Sequence, residues 1–257
     1  MGTFLVTGGT GVLGRIIVER LGEQGHETRV LSRRAGAGTH TGDLETGAGV
    51  AQAMAGVDGV VHAASNARKV GSTDVAQTDT VVRAAAAAGV GNLVYVSIVG
   101  IDRIPFRYYR NKLECERRIV DSGVPHTILR ATQFHELIAS VLHTAGRLPI
   151  APLPLEFRFQ PVAAADVAAR AAELAAGPPV GMAPDFGGPE VLTLGQLIDT
   201  WRAVQPRPRR VVPLPLPGRI ARGFRAGYNT CPEHTDGVQT WAKYVESGPD
   251  DPYAVGG

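Results

Sequence analysis

The chain has 257 residues, a formal net charge of +2 and 44% hydrophobic residues. That length accommodates one α/β domain with a small appended lobe and ample apolar surface for a core. The small charge excludes a general attraction to nucleic acid, and the two cysteines, Cys115 and Cys231, form no C-x-x-C pair and suggest no disulfide framework.

Residues 1–7 are a short apolar run rich in strand formers. Gly8-Gly-Thr10-Gly11-Val12-Leu13-Gly14 follows at once, and residues 15–21 carry apolar side chains at helical spacing. Strand, glycine turn and helix in that order are the context of a dinucleotide-binding loop. Gly8 permits the tight turn, Gly11 lets backbone reach a pyrophosphate, and Gly14 lets the helix pack on the strand. N–H groups and the dipole at the helix start then hold the anion. Residues 28–31 read as the second strand, which ends in Ser32-Arg33-Arg34. An acid there would bond the ribose 2′-OH of NAD. A guanidinium suits the 2′-phosphate of NADP instead. Arg33 is the first candidate, with Arg34 or Arg15 assisting. Asp43-Leu44, after Gly42, is placed to edge the adenine.

Residues 59–63 read as a buried strand ending at His62, which packs beside the dinucleotide. An Ala-rich helix covers 73–88 and closes at Gly89. Residues 92–96 are a strand, 108–122 a helix ending at Gly123, and 126–129 a strand. Strands alternating with helices imply a doubly wound, Rossmann-type parallel sheet with helices on both faces. Such sheets bind ligands at the carboxyl ends of their strands.

Beyond Thr132 the pattern loosens. Residues 134–145 read as helix, 157–162 as strand and 166–176 as helix. Thr193 with Gln196 matches a capping box, opening a helix through Val204 that Pro206 and Pro208 stop. Residues 213–217 are extended. Arg207, Arg209, Arg210, Arg219, Arg222 and Arg225 form a basic stretch. It reads either as a solvated face or as a site for an anionic substrate or partner. The expected organisation is an NADP-binding domain over 1–155, a small substrate lobe over 156–246 partly interleaved with the sheet, and a flexible tail over 247–257.

Four segments line up: Thr7 to Gly14, His62-Ala63-Ala64-Ser65, Ser97-Ile-Val-Gly100, and Tyr108-Tyr-Arg-Asn-Lys112. Together they resemble the atypical short-chain dehydrogenase/reductase superfamily, most closely its NmrA-like NAD(P)H-binding branch. Residues 128–134 resemble the segment that lines the nicotinamide, which adds Arg130, Ala131, Thr132 and Phe134 to the candidate cofactor contacts. The resemblance implies that Tyr108 is the general acid, protonating a carbonyl oxygen as hydride arrives. Lys112, one helical turn on and on the same face, would favour the phenolate and bond the nicotinamide ribose. Ser97 would bond the substrate oxygen. His135 is a further candidate to face substrate, and Cys115, between Glu114 and Glu116, reads as structural.

The reading is thus an NADPH-dependent oxidoreductase transferring hydride to a small apolar carbonyl, quinone, imine or enone. The substrate is expected under residues 134–160 and 180–227. The alternatives are a non-catalytic NADP(H)-binding redox sensor and an epimerase or isomerase with retained cofactor. No metal-ligand pattern is present. No apolar run reaches the roughly 18 residues of a membrane span, and the loop near Met1 leaves no room for a leader. A cytoplasmic monomer or homodimer, with a small-molecule substrate and neither nucleic acid nor membrane as partner, is expected.

Overall fold

The computed structural model describes residues 1–36, 38–65, 71–148, 150–205 and 210–248. Along the chain run β1 (Thr3–Thr7), α1 (Val12–Glu23), β2 (Glu27–Ser32), β3 (Thr39–Thr41), α2 (Val50–Met54), β4 (Gly59–His62), α3 (Asp74–Ala88), β5 (Asn92–Ile98), α4 (Arg107–Asp121), β6 (His126–Ala131) and α5 (His135–Ala145). Then come β7 (Ile150–Leu153), β8 (Arg158–Phe159), α6 (Ala164–Ala176), β9 (Gly181–Met182), β10 (Leu192–Thr193), α7 (Leu194–Ala203), β11 (Arg210–Pro213), α8 (Arg219–Arg225) and α9 (Trp241–Glu246).

Contacts divide the chain into two units. The first holds Met1–Ser97, Phe106–Arg130 and Val167–Pro184. The second holds Ile98–Pro105, Ala131–Asp166 and the described residues from Asp185 on. Residues 131–155, read from sequence with the first domain, thus make their contacts in the second unit, and 167–184 make theirs in the first.

The first unit is a Rossmann-type α/β layer. Its seven-stranded parallel sheet has the order β3-β2-β1-β4-β5-β6-β9. A parallel sheet covered on both faces needs unbroken apolar strands rather than alternating ones, and all of β4 is buried, as is β5 except for its last residue. Leu5, Val60, Leu93 and Ile128 are wholly buried, each contributing about 1.5–3 kcal/mol. The alanines of α3 keep that helix thin, and Gly89, in the left-handed region at φ 65°, closes it. Strand order reverses between β1 and β4. There Thr7 is in register with His62 on one side and with Leu31 on the other. A doubly wound sheet takes its ligand at that reversal.

The second unit is built differently. β8 pairs antiparallel with β10, and β7 pairs parallel with β11. Its core is aromatic: Trp201 stacks on Trp241 with centroids 6.1 Å apart, and Phe157 on Phe224 at 5.2 Å. The capping box at Thr193 and Gln196 is present and starts α7, which ends at Ala203 with Val204 as its cap. Pro206 and Pro208, expected to stop that helix, lie outside the described residues. The same holds for Arg207 and Arg209 and for residues 249–257 of the expected tail.

One expectation is corrected here. The strand read over 157–162 is only the two residues of β8. Pro161 has no N–H for a ladder, and the buried Gln160 side chain instead donates to the carbonyls of Gly188 (2.8 Å) and His234 (2.9 Å) while accepting from Cys231 N (2.7 Å). The stretch read as extended over 213–217 follows on from β11, with Pro213 in its ladder and one further bond from Leu214 N to Leu153 O. Pro215 and Pro217 have no N–H with which to continue it.

Candidate dinucleotide site

The loop after β1 has the shape its glycines require. Gly8 sits at φ +72°, and a Cβ there would lie 2.7 Å from Ala64 N. At Gly14 a Cβ would collide with the Gly8 carbonyl. Gly11 N donates to that same carbonyl at 2.9 Å, closing the turn. Helix α1 opens at Val12 with Gly11 as its cap, no capping side chain and no acid in its first turn. Its first N–H groups are therefore offered to an anion rather than to the protein. Thr10 is exposed and Leu13 is buried. These features form a cradle that a pyrophosphate fits and a side chain would fill.

At the end of β2, Ser32 Oγ accepts from Arg34 N at 3.1 Å, so Ser32 shapes the bend that follows. Arg33 and Arg34 are exposed, and neither has a carboxylate partner among the described residues. Arg29, by contrast, is spent on the carbonyls of Ala53 and Ala55. Asp43 closes a local turn by accepting from Glu45 N at 2.7 Å, and the Leu44 side chain lies in the core of the unit.

Beneath the strand ends runs a column of buried polar groups. His62 bridges Thr7 Oγ1 (2.7 Å) and Thr78 Oγ1 (3.2 Å) through its two ring nitrogens. A neutral imidazole has one donor and one acceptor nitrogen, so both threonines are satisfied without a charge. Burial, and then the charge of Lys112, push the His62 pKa down to about 3. His62 is thus held neutral, which suits a packing and orienting role. Ala63 and Ala64 leave the strand directly over the Gly8 turn.

Lys112 is buried on α4. Its ammonium donates to Val96 O at 3.1 Å and lies 4.4 Å from the Tyr95 ring centroid. A carbonyl and a ring face meet that charge in part. Ser97, at the end of β5, is buried, and its hydroxyl has no hydrogen-bond partner among the described residues. An orphaned buried hydroxyl is costly, and a bound ligand oxygen would satisfy it.

Tyr108 is the second residue of α4. Its hydroxyl is 2.9 Å from Ser65 Oγ, which in turn donates to Asp74 Oδ2 at 2.6 Å. Among the described residues no hydrogen bond joins Tyr108 to Ser97 or to Lys112. The four-residue spacing does put Tyr108 and Lys112 on one helix face, but each is tied to a different group. Sequence reasoning missed Asp74, although an acid at the first turn of an Ala-rich helix was visible.

Arg130, another candidate contact, is gripped by Glu116 through bonds of 2.9 and 2.6 Å. Glu116 is almost wholly buried, and losing one partner of such a pair costs about 3–5 kcal/mol. In the second unit, Thr132 accepts from Gly188 N and Phe134 bridges Val162. His135 is fully buried there. It lies 5.0 Å from the Tyr244 ring and bonds Gln239 O, and burial pushes its pKa down to about 4. Burial likewise raises the Cys115 thiol, and it pushes the Cys231 thiol up to about 12. Neither cysteine is poised as a nucleophile. Among the described residues no cluster of His, Cys, Asp and Glu could hold a metal, and no helix is long and apolar enough to cross a membrane.

Comparison with known proteins decides the family. The profile of a family described as NAD(P)H-binding matches residues 8–178. This chain belongs to the NAD(P)H-binding family. Among solved structures, an NADPH-dependent quinone oxidoreductase from Escherichia coli complexed with NADPH is 22% identical, with a TM-score of 0.79 over 95% of this chain and 99% of that one. Triphenylmethane reductase from Citrobacter sp. complexed with NADP(H) is 16% identical, with a TM-score of 0.74 over 96% and 100%. At those identities the likeness is one of fold. A 2-alkyl-3-oxoalkanoate reductase from Stenotrophomonas maltophilia is 33% identical over 45% of this chain and 45% of its own. The chain thus spans just under half the length of that relative.

Proposed function

We propose that this NAD(P)H-binding protein is an NADPH-dependent reductase of a small organic acceptor bearing a carbonyl, quinone, imine or conjugated alkene. The observation that carries the reading is the buried Ser97 hydroxyl at the carboxyl end of β5, without a partner among the described residues, on the edge where this fold takes its ligand. The names of the reductases that resemble this chain support the same class.

The bound dinucleotide supplies the hydride. The chain's own groups do the rest. Gly8, Gly11 and Gly14, with the first N–H groups of α1, hold the pyrophosphate. Arg33, with no carboxylate partner among the described residues, pairs with the 2′-phosphate by charge-assisted bonds and sets the preference for NADPH over NADH. Arg34 assists it. Lys112 bonds the nicotinamide ribose and keeps positive charge under the reacting oxygen. Ser97 donates to that oxygen and orients it. Tyr108 delivers the proton. The second unit, with its aromatic core, is assigned as the substrate lobe.

The test is NADPH oxidation followed by absorbance against quinones, aldehydes, imines and enones, with NADH in parallel. Turnover with one acceptor class and a preference for NADPH is expected. Tight NADPH binding with no oxidation across the panel would overturn the reductase reading in favour of a redox sensor.

A further inference from the structure

We propose that Tyr95 is the seat of Lys112: its ring face holds the buried ammonium near the carboxyl end of β5 and so sets where that ammonium meets the dinucleotide. This rests on the reading above, in which Lys112 bonds the nicotinamide ribose. Taking an ammonium out of water is costly unless something answers its charge. Lys112 is buried, and helix spacing offers it a carboxylate, Glu116, four residues on along α4. Glu116 instead gives both oxygens to Arg130, at 2.9 and 2.6 Å. Among the described residues Lys112 makes no ion pair and one hydrogen bond, to Val96 O at 3.1 Å. What answers the charge is the Tyr95 ring, whose centroid lies 4.4 Å from Nζ. That is inside the reach of about 6 Å for a cation over a ring, an attraction that strengthens where water is excluded.

The ring is itself held in place. Tyr95 is in register with His62 on the neighbouring strand, and the two rings pack with centroids 5.4 Å apart. Hydrogen bonds to Thr7 on β1 and Thr78 on α3 fix the His62 ring through both of its nitrogens. A neutral imidazole there also adds no second positive charge near the ammonium. The position of Lys112 is thus referred back through Tyr95 and His62 to the strand that leads into the glycine loop.

An ammonium has three N–H donors. Val96 O takes one, and a ring face attracts the charge without a lone pair, so N–H groups remain for a ligand. Three consecutive residues of β5 supply the ring, the carbonyl and the orphaned Ser97 hydroxyl, and one strand therefore places both Lys112 and Ser97. A leucine at position 95 would fill the core and leave the ammonium unanswered. A phenylalanine would keep the seat. Tyr95 acts through Lys112 and is a positioning residue.

Two measurements test this, and neither needs turnover. The chain has three lysines, Lys69, Lys112 and Lys243, so selective lysine labelling gives a simple NMR spectrum, and Lys112→Arg assigns the signal of Lys112. A methylene over a ring face resonates upfield. The Lys112 Hε signal is expected upfield in the wild type and in Tyr95→Phe, and to move downfield in Tyr95→Leu. A signal that Tyr95→Leu leaves in place overturns the seat, whatever the activity. The second measurement is NADPH affinity by calorimetry. Tyr95→Leu is expected to weaken binding about tenfold, the scale of one hydrogen bond to a charged group, and Tyr95→Phe less than about twofold. In a Lys112→Gln background Tyr95→Leu is expected to add nothing, because it acts through Lys112. Equal losses in the two backgrounds make Tyr95 a packing residue and overturn the proposal. Should Tyr95→Leu fail to fold, phenylalanines carrying one, two and three ring fluorines in place of Tyr95 keep the shape and drain the negative ring face. Affinity is expected to fall stepwise along that series, and a constant affinity overturns the seat. A wild type that oxidises NADPH with no acceptor overturns the reductase reading, while the lysine signal and the affinities still decide the seat.

Discussion

The two units bury polar groups for different ends. In the second, Gln133, Gln160 and Asn229 turn their amides onto backbone atoms of that unit, Gln160 onto loop groups and Asn229 onto the Arg158 carbonyl of β8. In the first, His62, Lys112, Ser97 and Asp74 are buried, His62 at the sheet's reversal, and the Ser97 hydroxyl is left without a partner among the described residues. Amides bonded to backbone in this way are scaffolding, and of the three it is Asn229 whose Oδ1 has no partner among the described residues. An unsaturated hydroxyl at the carboxyl end of a buried parallel strand is open to a ligand oxygen.

That contrast is open to direct attack. The largest effect is expected in the second unit. Gln160→Ala strands two carbonyls and the Cys231 N–H in the core, at about 3 kcal/mol of stability given about 1–3 kcal/mol per orphaned group. Urea unfolding checks this, and NADPH affinity of the folded variant should be unmoved. An equal loss of affinity would break the distinction. Next is Gly14→Ala, whose Cβ must displace the Gly8 carbonyl. NADPH affinity by calorimetry should fall about 100-fold, or about 2.7 kcal/mol, with the circular dichroism spectrum retained.

Arg33→Ala should weaken NADPH about 30-fold, the scale of one charge-assisted contact, while NADH changes less than about twofold. Equal weakening of both would remove Arg33 from the 2′-phosphate. The smallest effect concerns acid. His62 and His135 are held neutral in the folded chain, at about 3 and about 4, whereas an unfolded histidine titrates near 6.5. Below about 6.5 the unfolded chain binds more protons, so stability is full above that pH and falls as pH drops towards the folded values. The slope is up to about 1.4 kcal/mol per pH unit for each histidine. His62→Gln should remove about half of it between pH 6 and 4, roughly the window those values define. An unchanged slope would mean that His62 is not excluded from protonation.

Much of the first unit was legible because its demands are local. A left-handed turn at Gly8 and a close contact at Gly14 can be met only by glycine, so the residue announces the backbone. The helix spacing of Tyr108 and Lys112 and the cap at Thr193 are equally local. What escaped was non-local. Ser65 and Tyr108 are far apart in sequence, as are Glu116 and Arg130, and no periodicity records which side chain meets which. The short strands β3, β7, β9 and β10 escaped for a related reason: runs of two to four residues carry too few side chains to show alternation. Arg130 shows the cost. Its place after a strand suggested a cofactor contact, but its guanidinium has a buried carboxylate to hold.

The measurement that bears most directly on the central claim is NADPH oxidation by the wild type and by Ser97→Ala across the acceptor panel. Turnover by the wild type that drops at least about tenfold in Ser97→Ala, with NADPH affinity retained, is expected of an oxyanion-side donor. Turnover that Ser97→Ala leaves unchanged would contradict the assignment of the orphaned hydroxyl to the reacting oxygen.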